Sequence, residues 1–551
     1  MNAARSQPGA DWTFARLSVS ARRGVVLIVV LVLVVMIAFA GFGFVSEMTT
    51  EYEATRINGD LLQAQQVMAS AENYLLAHVA RQQQPQQETS PDSVLSESAN
   101  PFQAVTLASL SESGTSDGTA PMDSEWRFAV IRNLSTFDAM RKQQRGTQAY
   151  VGAEEIDLLN NIDTFAAPEF GIENESAKLN LGRVLYWDTV EPGRGRRALL
   201  HIPGMTEEAA DCILDWIDDD DTPRPSGAEQ NEYRQQQERN AQQINVQPRN
   251  GLPQTLTELL LVRGVTRAAF FGSGGSASDT ASASWERYLT LTSAEPTQIS
   301  PPRIVLNQLA LSDLADLEKR LSAAVSPGVA RYVALALMVG VNSAPASLPP
   351  MNPLAVDLNS LPVVSINGML KLPDLIDSSV VVNQPGNRQR VDSPFRSDDP
   401  ESLRMFARLE QLVTTVDTTR PVVRGRVNIL LASEEVLRAL TDDPAIASQI
   451  VQQRQSLSGD ELHSSAWLLS RRIADLQTYR RLYPDITTGG NVYTGEIVVY
   501  RAVGGPFLRR KITIDAANGV PRRVNWLDKT SVPLPLTLQQ LEPQEGLFAV
   551  E

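Results

Sequence analysis

Residues 22–45, RRGVVLIVVLVLVVMIAFAGFGFV, place Arg22, Arg23 and Gly24 directly before an apolar run from Val25 to Val45 that carries no charge. As a helix rising about 1.5 Å per residue, the run covers the roughly 30 Å hydrocarbon core of a bilayer. Four arginines, Arg5, Arg16, Arg22 and Arg23, precede it against one acid, Asp11. The positive-inside rule then holds the N-terminus in the cytoplasm and sends the bulk of the chain outward, into a periplasm. A cleaved secretory signal has a shorter apolar core followed by a small-residue cut site, whereas this run is full length and ends in Gly41-Phe42-Gly43-Phe44-Val45. A single-pass anchor in an inner membrane is expected, with lipid around residues 25–45.

Beyond the run, Met48, Tyr52, Leu61, Leu62, Val67, Met68, Ala71, Leu75 and Val79 recur at three- and four-residue steps, so the helix continues as an amphipathic stem to about residue 81. Residues 82–122 are rich in Gln, Ser, Pro and Gly and predict a flexible linker, because such a composition cannot repay its ordering entropy. Trp126–Leu134 and Phe170–Leu181 predict strands. The segment from Leu199 to Ile217 predicts a helical hairpin, with Pro203-Gly204 at the turn and Thr206 as N-cap. A similar hairpin is expected at Leu256–Phe271 around Gly264, with a polar loop from Thr222 to Pro253 between the two. Trp285–Thr292 predicts a strand returning to the sheet, and Asn491–Trp526, with turn signals at Gly504-Gly505 and Asn518-Gly519, an antiparallel meander.

Lys178-Leu179-Asn180, Val305-Leu306-Asn307, Asp357-Leu358-Asn359 and Arg426-Val427-Asn428 each precede a helical stretch, which points to duplication of one small helical unit. The expected fold is therefore α+β. The expected organisation is a leader at 1–24, a stem at 25–81, a linker at 82–122, the first part of a sheet at 123–191, an inserted helical-hairpin domain at 192–275, a returning strand at 284–300, further helical repeats at 301–480 and a C-terminal meander at 487–530.

Acids outnumber bases 64 to 49 for a net charge of −15, so a polyanion is repelled and no nucleic acid is expected. The single cysteine, Cys212, excludes an internal disulfide; beside Asp211 on the polar side of the hairpin helix it is expected to be inert. Gly114-Thr115-Ser116-Asp117-Gly118 matches a nucleophile-elbow pattern but falls in the linker, and Gly193-Arg194-Gly195-Arg196-Arg197-Ala198 matches a loosened dinucleotide pattern without a βαβ unit behind it. With His78, His201 and His463 scattered, no base is placed for a nucleophile and no enzyme is expected.

A basic leader ending in Gly24 at the cytoplasmic mouth of an apolar helix resembles a type IV prepilin processing site, with the cut between Gly24 and Val25. Asp215-Trp216-Ile217-Asp218-Asp219-Asp220-Asp221-Thr222-Pro223-Arg224-Pro225-Ser226-Gly227-Ala228-Glu229, following the Ile202-Pro203-Gly204-Met205-Thr206 turn, looks like the hallmark stretch of general secretion pathway protein K, a minor pseudopilin of type II secretion. The resemblance covers residues 22 to about 310. It implies a pilin-like antiparallel sheet carrying an inserted helix-hairpin-helix or SAM-like domain. It also implies a subunit at the tip of a periplasmic pseudopilus, nucleating its assembly for export of folded proteins across the outer membrane. The implied partners are the I- and J-type minor pseudopilins, the major pseudopilin, prepilin peptidase and the inner-membrane assembly platform. Pseudopilins commonly carry Glu at the fifth mature position; here it is Val29, and the K type is the one that lacks this acid.

Eight acids stand between Glu207 and Asp221 without a base, the last four where a helix should end. Acids at a helix C-terminus are unfavourable unless a cation offsets them, and calcium, which takes oxygen ligands from flexible loops, is the candidate. Asp218, Asp219, Asp220, Asp221 and Glu229 are the residues expected to hold it, a reading the resemblance supports without assigning ligands. The competing reading is a membrane-tethered helix-hairpin-helix DNA-binding protein of a DNA-uptake apparatus. The acids after Gly204 oppose it, because they would repel phosphate at the hairpin mouth.

Overall fold

The computed structural model describes residues 20–83, 105–106, 126–132, 169–240, 246–271, 284–299, 301–341, 345, 347–358, 361, 370–384, 387–416, 418–501, 504–531, 534, 536 and 538–541. The Gly114–Gly118 motif, Asn359 and most of the 82–122 stretch lie outside these residues. The chain divides into two compact units, residues 1–66 and 67–551.

A helix runs over Ser20–Gln83, and its stretch from Val26 onward is long and apolar enough to cross a membrane. Within the first unit Val26 to Val45 are exposed, as are Met48, Tyr52 and Leu62. The amphipathic stripe expected to begin at Met48 is therefore buried only further along the helix. In the second unit Val67, Met68, Ala71, Leu75 and Val79 are buried, Tyr74 meets the edge of Phe128 at 5.7 Å, and Glu72 accepts Arg510 at 2.7 Å and Arg523. The reason is simple: an apolar stripe is buried where a facing surface exists, and the sheet supplies one there.

The sheet is antiparallel, in the order Val105–Thr106, Trp126–Ile131, Val492–Arg501, Leu508–Asp515, Arg522–Asp528, with Glu173–Asn174 also on Val492–Arg501. The pair Val105–Thr106 thus belongs to the sheet although it falls within the predicted linker. Val492–Arg501 is buried on both faces, whereas every residue of the edge strand Arg522–Asp528 is exposed.

The remainder is largely helical, and its starts follow from capping chemistry. Ser326, Asp399 and Asp443 each cap a helix whose first residue is proline, at Pro327–Val339, Pro400–Leu412 and Pro444–Gln453. Proline loses nothing there, since the first helical N–H has no partner to give up. These helices share one apolar core running from Leu179 to Ile486, with Trp187, Trp285 and Trp467 fully buried in it.

Three expectations change. Phe170–Leu181 is not one strand but the short strands Glu173–Asn174 and Leu179–Asn180 split by a 3-10 turn, which Asn174 caps by accepting the Ser176 N–H. The Thr222–Pro253 loop contains a helix, Gln230–Asn240. Its Gln, Glu and Arg residues are good helix formers, no proline falls inside it, and the edge-to-face contact of Tyr233 with Trp216 at 5.7 Å anchors it. The segment Trp285–Thr292 forms a 3-10 turn and the strand Leu289–Thr290, which pairs in parallel with Leu179–Asn180 and not with the sheet. Two further parallel pairs of two residues join Ile304–Val305 to Val413–Thr414 and Val427–Asn428 to Ile486–Thr487.

Candidate functional site

The helix Glu207–Ile217 starts at Thr206, whose hydroxyl accepts the Ala209 N–H at 3.1 Å. Gly264, at φ +81°, sits against this start so closely that a Cβ would lie 3.1 Å from the Ala209 nitrogen. From Ala209 to Ile217 every residue is buried, acids included. Cys212, expected on a polar face, is therefore interior, and burial pushes its thiol up to about 11.

Buried carboxylates require partners, and the bases come from outside the helix. Arg196 donates to Asp211 at 2.6 Å. Arg224 donates through Nη1 to Asp215 at 2.6 Å and Asp218 at 2.5 Å, and through Nη2 to Asp188 at 3.0 Å. The loop carrying Arg224 is pressed onto Asp215: a Cβ on Gly227 would stand 1.8 Å from Asp215 Oδ2. So the polar face of the helix is roofed by its own downstream loop, which is why it is not at the surface.

One guanidinium does not balance this cluster. Asp215, Asp218 and Glu229 each bring a carboxylate oxygen within 4.8 Å of the others. Asp218 Oδ1 and both Glu229 oxygens are buried without a hydrogen-bond partner. Burial pushes the Glu229 carboxyl up to about 8, and the charges of Asp215 and Asp218 add to it. Burial also raises Asp215 and Asp218, with Arg224 pulling both the other way. Unpaired buried acid oxygens at this density match the donor set of a hard divalent cation.

Of the residues expected to hold calcium, Asp218 and Glu229 converge. Asp219, Asp220 and Asp221 are exposed; Asp220 caps the Thr222 N–H at 2.7 Å and Asp221 accepts Asn250 at 3.4 Å. Asp215 takes a place that sequence reading had not given it. Its spacing was informative, since Asp211, Asp215 and Asp218 fall on one helix face.

At the hairpin mouth Glu207 pairs with Arg196 and Glu208 with Arg263, both at 3.0 Å, so the bases there are already neutralised and nothing favours DNA. Gly24 and Val25 lie within the Ser20–Gln83 helix, and Val29 is 57% exposed.

Residues 177–270, which contain this site, match the family of type II secretion system protein K. No curated protein matches the chain. A solved structure of the GspK-GspI-GspJ complex from the type 2 secretion system of enterotoxigenic Escherichia coli aligns over 86% of this chain and 98% of that one, at 11% identity and a TM-score of 0.36. Through residues 177–270 the chain is similar to protein K of the type II secretion system.

Proposed function

We propose that the chain is a minor pseudopilin of the type II secretion system, anchored in the inner membrane by Val25–Val45 with its bulk in the periplasm, cut by prepilin peptidase between Gly24 and Val25, and capping the pseudopilus. The observation that carries the reading is Val29. An uncharged fifth mature position makes no ion pair to a subunit above it, and it lies on an exposed apolar helix joined in one chain to a protein K domain. I- and J-type minor pseudopilins are the neighbours proposed for the tip, with the major pseudopilin below and the inner-membrane platform at the base. The helical-hairpin insert and the helical stretches after residue 301 are proposed to descend from one repeated unit. Immunogold labelling of pseudopili tests the placement: label at one filament end is expected, and label along the shaft contradicts it.

Calcium is proposed as the ion at Asp215, Asp218 and Glu229, where it supplies the positive charge that Arg224 alone does not. The chain's own part is to fix the three carboxylates on a helix end and a roofing loop. Calorimetric titration of the full-length chain in detergent tests this. Saturable binding that is lost in Glu229→Gln is expected, and calcium binding unaffected by that change contradicts the assignment.

A further inference from the structure

The three parallel two-residue pairs share a detail that their sequences do not advertise. In each, the later strand ends on threonine, Thr290, Thr414 or Thr487, and the residue just before the earlier strand is a cation, Lys178, Arg303 or Arg426. Each threonine hydroxyl accepts the N–H two residues on, from Thr292 at 3.2 Å, Val416 at 3.2 Å and Gly489 at 3.0 Å. That leaves each hydroxyl proton free to donate.

In two of the three clasps a carboxylate bridges hydroxyl and cation. Glu175 accepts from Thr290 and pairs with Lys178 at 2.9 Å. Glu295 accepts from Thr487 at 2.5 Å and pairs with Arg426 at 2.9 Å. These acids come from different places, Glu175 from the 3-10 turn before the first clasp and Glu295 from a strand after Thr290. The acid is thus no fixed part of the clasp.

Among the described residues the middle clasp has none. Arg303 Nε is buried without a partner, while Nη2 is engaged by the Thr297 carbonyl at 3.2 Å. Burial holds Arg303 below the usual guanidinium range despite the charge of Glu295. Beside Arg303 and Thr414 lies a cavity of about 260 Å³, walled also by Lys371, Glu410 and Arg426. Its acids are committed elsewhere: Glu295 to Thr487 and Arg426, and Glu410 to Ser464.

We propose that the cavity between Arg303 and Thr414 is a binding site for a carboxylate group, which completes the middle clasp as Glu175 and Glu295 complete the other two. The carboxylate comes either from a small free acid or from an acidic side chain of a partner polypeptide, and the bonding is the same. A planar carboxylate suits the guanidinium fork and a neighbouring hydroxyl donor.

The test is calorimetric titration of the detergent-solubilised full-length chain at pH 7.5 and constant ionic strength, using acetate, glutarate, an acidic glutamate heptapeptide and sulfate as probes. Saturable carboxylate binding is expected, at least tenfold weaker in Arg303→Gln and severalfold weaker in Thr414→Val, with melting curves showing both variants folded. Should Arg303→Gln fail to fold, Thr414→Val and Arg303→Lys carry the comparison. Glutarate or acetate saturating as tightly as the peptide assigns the site to a free acid; a peptide at least tenfold tighter assigns it to a partner side chain. Absence of saturable binding, sulfate binding as tightly as acetate, or affinities unchanged in the variants overturns the proposal.

Discussion

Two groups of buried acids in this chain behave differently, and the difference separates structure from ligand chemistry. Behind the sheet, Glu496 is paired with the fully buried Arg509 and faces Lys529 at 3.6 Å. Nearby, Glu286 is paired with Lys511, and although burial works against its charge, Lys511 and Lys529 hold it down at about 2. Under the helix Glu207–Ile217, Asp215 and Asp218 share one guanidinium with Asp188, both Glu229 oxygens are buried without a partner, and burial pushes Glu229 up to about 8. Where the chain supplies its own cations the acids hold the fold together; where it supplies too few, the proposed role is to take a cation from outside.

The largest effect is expected behind the sheet. Arg509→Leu strands Glu496 in the interior and should cost about 3–5 kcal/mol in chemical denaturation, with no recovery in calcium. A cost near zero would break the contrast. Next in size is the acid helix, where the double change Asp218→Asn with Glu229→Gln should abolish calcium stabilisation, which is worth about 2.7 kcal/mol at one hundred times Kd. Without calcium the double variant should be no less stable than the parent, because the removed groups repel one another. A large loss of calcium-free stability would show instead that these acids serve the fold.

The smallest effects lie in pH dependence, and the two signs oppose. Glu286 has a folded pKa of about 2, below its ordinary 4.5, so its contribution is present above pH 4.5 and lost as pH falls through 2. Glu410 is raised from 4.5 to about 7 by burial, with Ser464, Tyr483, Arg303 and Arg426 pulling it down. Its contribution is present below pH 4.5 and lost as pH rises through 7. Melting scans should show a decline on each side, with the upper decline removed in Glu410→Gln.

Some of this was legible in the amino acids alone. Twenty-one uncharged residues from Val25 to Val45 leave little choice but a helix long and apolar enough to cross a membrane, and the alternation and glycine turns of Asn491–Trp526 leave little but a meander. Long, strongly patterned segments announce themselves. The two-residue parallel pairs do not, because two residues have no period, and Leu289–Thr290 was accordingly assigned to the wrong neighbour. The acid site was half visible. Its residues stood close in sequence, but the burial of Asp215 depends on Arg224 folding back from a proline-punctuated loop, and nothing local signals that closure. The exposed Asp219–Asp221 were the more conspicuous acids and the less confined.

Intact-mass measurement of the chain from cells with and without prepilin peptidase tests the proposed N-terminal processing directly. With the peptidase, a mature chain beginning at Val25 and carrying Val29 as its fifth residue is expected, and without it the uncut precursor. A chain that keeps its first 24 residues in the presence of the peptidase contradicts the placement at the pseudopilus tip.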